Sequence, residues 1–96
     1  MEKQQALDML SQLKPEPIKR FGVTRLALFG STVRGEAKEG SDIDILISFD
    51  GPASSKQFFG VQFLLEDELG QPIDLVTEKA LRPELKTFIE SEAINV

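Results

Sequence analysis

The chain has 96 residues, 16 acidic against 11 basic, for a net charge of −5, and it contains neither cysteine nor histidine. That excludes disulfides, thiol nucleophiles, zinc fingers and histidine-based triads, and it argues against sequence-independent duplex binding, which needs many Lys and Arg phosphate contacts. With 41% hydrophobic and 28% charged residues the chain reads as one globular domain over 1–96; lacking a signal peptide or a membrane-length apolar run, it is expected to be cytoplasmic.

Residues 3–13 place Ala6, Met9, Leu10 and Leu13 on one helical stripe, with Leu7 beside it. Pro15 and Pro17 cannot sit inside that helix, so it ends before them. A short helix through Ile18 and Phe21 starts at the prolines and stops at Gly22. The first strand is expected over about 24–29. Gly30-Ser31 follows it and opens a short helical turn that Gly35 closes, with Ser31 as a natural N-cap. The second strand is expected over about 42–49, before the turn signal Asp50-Gly51-Pro52.

Residues 55–69 are helical by pattern. Phe58, Val61, Leu65 and Leu69 form a tight stripe, and Phe59 with Phe63 forms a second one alongside. The expectation is one wide surface facing the core; the alternative sets one stripe on the sheet and the other against a partner. Gly70-Gln71-Pro72 stops this helix, and Ile73-Asp74-Leu75-Val76-Thr77 is the third strand. The last helix is expected over 82–94, with Pro83 in its first turn and Leu85, Phe88 and Ile89 facing inward. No repeat, low-complexity tract or interdomain linker interrupts this order. The elements predict an α/β domain in which a small mixed sheet carries helices mainly on one face and leaves the other open.

The chemistry concentrates in Ser41-Asp42-Ile43-Asp44-Ile45-Leu46-Ile47. Residues two apart on a strand share a face, so Asp42 and Asp44 are expected side by side, with Ile43, Ile45, Ile47 and Phe49 on the other face. Two like charges that close repel, and burial worsens the repulsion. A hard divalent cation would neutralise both, and such oxygen ligands suit Mg²⁺. Alone, an Asp-x-Asp is more simply a pair of solvated carboxylates. Its combination with Gly30-Ser31 twelve residues earlier arises by chance in on the order of one chain per thousand of this size, so coincidence is the weaker account. A P-loop is excluded, because Glu36-Ala37 stands where Lys-Ser/Thr is required after the second glycine.

Gly30-Ser31-Thr32-Val33-Arg34-Gly35 followed by Ser41-Asp42-Ile43-Asp44-Ile45-Leu46-Ile47 closely resembles the signature of minimal nucleotidyltransferases (MNT) of the polymerase-beta type. A third acidic position, Asp74 in Pro72-Ile73-Asp74-Leu75-Val76, extends the resemblance across most of the chain. If the second and third strands are neighbours, Asp74 joins Asp42 and Asp44 on one face. The resemblance implies two Mg²⁺ ions held by Asp42, Asp44 and Asp74, with Asp74 also placed to take the proton of an attacking hydroxyl. Gly30 and Ser31 would hold the β- and γ-phosphates of ATP, and Arg34 would add a cationic contact.

The implied activity is transfer of AMP from ATP to a hydroxyl, with release of pyrophosphate. Because MNT proteins are commonly antitoxins of HEPN-domain toxins, the expected acceptor is a tyrosine of such a toxin, presented by that partner in a hetero-oligomer; homo-oligomers stay open. The alternative is a binding module that neutralises a HEPN partner by steric complex formation, without catalysis.

Overall fold

A computed structural model describes Met1–Val96. Helix α1 (Lys3–Leu13) and helix α2 (Pro15–Phe21) lead into strand β1 (Val23–Phe29). A one-turn helix α3 (Ser31–Arg34) and a loop connect it to strand β2 (Ile43–Phe49), which helix α4 (Ser55–Leu69) joins to strand β3 (Ile73–Thr77). A 3₁₀ turn over Glu78–Ala80, helix α5 (Pro83–Glu92) and a two-residue strand β4 (Ile94–Asn95) complete the order. The sheet runs β3-β2-β1-β4: β1 is antiparallel to β2 and β4, while β2 and β3 are parallel.

Each choice has a local cause. Parallel neighbours need a long crossover, and the α4 connection between β2 and β3 supplies it. A capping box starts α4: the Gln57 amide donates to Ser54 Oγ at 3.1 Å, and the Ser54 amide donates to Gln57 Oε1 at 2.8 Å. The same Gln57 donates its side-chain amide to the Phe21 carbonyl, tying α4 to the end of α2. Gly60 permits that approach, since a Cβ there would run into the Phe21 ring.

Strand alternation builds two cores. Leu26, Leu28, Ile43, Ile45, Ile47, Ile73 and Leu75 point to one face, where Ala6, Leu10, Val61, Leu65 and Leu69 of the helices cover them. The opposite face carries a smaller cluster of Ala27, Phe29 and Leu46 beneath Ile89 of α5. That face is therefore open only in part.

Three sequence expectations need correction. Phe59 and Phe63 are 51% and 67% exposed, so only the Phe58–Val61–Leu65–Leu69 stripe of α4 faces the sheet. Leu85 and Phe88 are 52% and 59% exposed, and Ile89 alone is the buried residue of α5. The reason in both cases is geometry: each helix touches one layer, and a helix against one layer buries a single stripe. The last helix also ends at Glu92, because the next residues extend and pair with β1 through Ile94↔Leu28 and Asn95↔Ala27.

These placements separate substitutions cleanly. Ile45→Ala, in the fully buried core, should lower unfolding free energy by about 2–5 kcal/mol. Phe63→Ser should change it by no more than about 0.5 kcal/mol. Denaturant titration of the two variants measures both, and a large loss in Phe63→Ser would show that this ring is buried in solution.

Candidate functional site

The parallel register pairs Asp44 on β2 with Asp74 on β3, one strand apart in the sheet. Their neighbours Ile43 and Ile45, Ile73 and Leu75 point into the main core, so both carboxylates are driven to the other face, that of Leu46 and Phe29. Asp44 is half-buried, whereas Asp74 is exposed. Asp42 is exposed and immediately precedes β2, whose pairing with β3 begins at Ile43↔Ile73. The expectation that Asp42 lies within the strand is therefore corrected by one residue.

The electrostatics follow this arrangement. Burial pushes the Asp44 carboxyl up from 3.8 to about 6. The charge of Asp74 and a hydrogen bond with it add to the rise, the Ser31 amide opposes it by donating to Asp44, and Asp42 contributes least. Asp44 and Asp74 thus form the close pair, and Asp42 flanks it. The acidic side chains are not gathered into a ready cage of three or more metal ligands. The donor chemistry nonetheless fits a hard divalent cation: two adjacent carboxylates without an ion pair to any basic side chain carry repulsion that a cation or a proton relieves.

The Gly30-Ser31 turn abuts this pair. Phe29, at the end of β1, lies in register with Asp44. Gly30 then turns with φ 78°, and a Cβ on it would collide with Asp44 Oδ2 and Cγ. Only glycine meets both demands. Ser31 is the first residue of α3 and makes no side-chain cap; Gly30 occupies the N-cap position, which corrects the expectation for Ser31. Gly35 closes the turn as expected, at φ 73°.

Arg34 is close by but already engaged. Its Nη1 donates to both oxygens of Glu92 at 3.0 Å, and its Nε donates to Glu36 Oε2 at 3.2 Å. These bonds, Glu92 first, hold the guanidinium above its ordinary pKa. Glu92 also accepts from the Gly30 amide at 2.9 Å. Sequence reasoning missed Glu92, and the signal for it was faint: an acidic residue at a helix end whose dipole disfavours one.

The chain matches the family described as nucleotidyltransferase domain over residues 10–96. It is 40% identical over 88 residues to the protein adenylyltransferase MntA of Thermococcus cleftensis, covering 92% of this chain and 89% of that protein. A solved structure of a provisionally assigned minimal nucleotidyltransferase superposes with a TM-score of 0.79 at 32% identity, over 100% of this chain and 97% of the other. A chain from the complex of a tri-AMPylated Shewanella oneidensis HEPN toxin with MNT antitoxin shares the fold, with a TM-score of 0.68 at 18% identity. That match spans 97% of this chain and 70% of the other.

The raised Asp44 carboxyl gives a pH-dependent test. The folded state holds its proton more tightly than the unfolded chain does. The stabilisation is full below the ordinary carboxylate value and is lost as pH rises through about 6. Asp44→Asn cannot ionise, so without divalent cations it should melt above the wild type by a margin that grows from about pH 4 to about pH 7. Mg²⁺ should narrow that margin by stabilising the wild type. Thermal unfolding across pH measures both effects; a margin independent of pH would refute the paired-carboxylate account.

Proposed function

Because the chain belongs to the nucleotidyltransferase domain family, we propose that it transfers AMP from ATP to a tyrosine hydroxyl of a HEPN toxin in the cytoplasm and so acts as its antitoxin. The observation that carries this reading is the in-register Asp44–Asp74 pair set against the Gly30-Ser31 turn. The adenylyltransferase name of the 40% identical relative supports the reaction class, and the tri-AMPylated toxin in the Shewanella complex supports the acceptor class. Residues 1–96 act in this reading as a single minimal domain.

Asp42, Asp44 and Asp74 are the residues that would hold Mg²⁺, which when bound neutralises phosphate charge and stabilises both entering and leaving oxygens. The protein's own groups do the rest. The Gly30 and Ser31 amides and the Arg34 guanidinium bind the β- and γ-phosphates and orient the α-phosphorus. Asp74, the more exposed of the close pair, accepts the proton of the acceptor hydroxyl at its carboxylate. The hydroxyl oxygen then bonds to the α-phosphorus as the bond to the β-phosphate oxygen breaks, and pyrophosphate leaves.

A second reading is favoured by the outward Phe59 and Phe63 rings, whose centroids lie 6.5 Å apart on the exposed side of α4. Such a surface suits direct binding to a partner, which alone would neutralise a toxin at stoichiometric ratio. Intact-mass measurement of a HEPN partner after incubation with this chain, ATP and Mg²⁺ separates the two. Catalysis should add one or more AMP masses at substoichiometric protein, and Asp74→Asn should stop the gain. Full neutralisation by Asp74→Asn at equimolar ratio, with no mass gained even by the wild type, would replace transfer by steric binding.

A further inference from the structure

Glu92, the last residue of α5, sits where a phosphate is expected. Its Oε1 accepts from the Gly30 amide at 2.9 Å, and its two oxygens accept from Arg34 Nη1 at 3.0 Å. Its side chain is only 15% exposed. Nothing in α5 itself calls for it: a carboxylate at a helix C-terminus faces the negative end of the dipole, and the last turn has no basic residue. Gly30 is buried, so its amide requires an acceptor at all times.

We propose that Glu92 is an internal stand-in for phosphate, which occupies the Gly30 amide and Arg34 in the nucleotide-free protein and sets nucleotide affinity by having to be displaced. The inference rests on the reading of Gly30 and Arg34 as phosphate donors. Competition is direct at Gly30, since one N–H cannot serve two acceptors at full strength. At Arg34 the conflict is between two anions at one cation. The segment bearing Glu92 is held mainly by polar ties: α5 buries only Ile89, β4 pairs with β1 through two residues, and Arg25 reaches Glu90 and Asn95. Ile89 belongs to the smaller cluster, so the Glu92 side chain can swing away while the main core stays packed.

The test is isothermal titration of the full 96-residue chain with ATP and Mg²⁺ and, separately, with inorganic tripolyphosphate. Glu92→Ala should bind both ligands roughly tenfold more tightly, the scale of one charge-assisted hydrogen bond. Its melting temperature without ligand should fall. Glu92→Gln keeps the shape but loses the charge; it should tighten binding to a lesser degree and carries the test if the alanine variant does not fold. Glu36→Ala removes the other carboxylate on Arg34 with the same change in net charge, yet leaves the Gly30 amide engaged; it should alter affinity by less than about twofold.

Weaker binding by Glu92→Ala would make Glu92 a brace and overturn the proposal, as would equal tightening by Glu36→Ala. Tripolyphosphate binding without ATP binding would remove the nucleotide reading, while the tripolyphosphate series still decides the role of Glu92. No binding of either ligand to any variant would remove both.

Discussion

Everything at the site depends on two carboxylates being held one strand apart in a parallel register. Asp44 and Asp74 repel, and the pairing β2–β3 gives them no freedom to separate. The force that keeps them there is on the other side of the strands. Ile43, Ile45, Ile47, Ile73 and Leu75 bury themselves against α1 and α4, and slipping either strand by one residue would turn these side chains outward. The cost of that slip, several buried aliphatic side chains at about 1.5–3 kcal/mol each, exceeds the repulsion of a partly solvated carboxylate pair. The hydrophobic core thus fixes the geometry of an electrostatically unfavourable site.

The second face solves a different problem. An open sheet face beside an acidic cluster needs a cover that adds no further strain, and α5 provides one mainly through polar contacts. Arg25 of β1 reaches Glu90 at 2.8 Å and Glu78 at 3.5 Å, and Lys86 returns to Glu78 at 3.2 Å. Ser48 donates to Glu78, completing a network that links β1, β2, the 3₁₀ turn and α5. The hydrogen bond from Ser48, then that from Lys86, holds the Glu78 carboxyl below its ordinary value. Ile89 supplies the apolar part. A helix attached this way leaves Leu85 and Phe88 outward.

Most of the fold was legible in the sequence, for physical reasons. Strand faces were legible because Ile43-Asp44-Ile45 and Ile73-Asp74-Leu75 alternate without a fault. The ends of α1, α2 and α4 were legible because prolines and glycines leave the chain no choice there. The orientation of Phe59, Phe63, Leu85 and Phe88 was not, since apolar character says that a side chain prefers burial and not that a second layer exists to bury it. Strand β4 was too short to show a period. Ser31 was read as a cap because serine favours that position, but the collision awaiting any Cβ beside Asp44 puts glycine there. Glu92 was missed because its partners lie about sixty residues away in sequence, at Gly30 and Arg34.

The turn after β1 is where these constraints meet. Its two successive amides each face a carboxylate of the chain itself: Gly30 donates to Glu92 at 2.9 Å, and Ser31 lies beside Asp44 and favours its ionised form. The buried Gly30 amide thus has the acceptor that a buried N–H requires. The two carboxylates differ in what would draw them away. A cation would draw on Asp44, whereas under the proposal made for Glu92 a phosphate would compete for the Gly30 amide and Arg34. A cation or a phosphate alone would satisfy one half of the turn. A ligand that carries a cation and a phosphate together would engage both halves of the turn at once, as the proposed nucleotide reading requires.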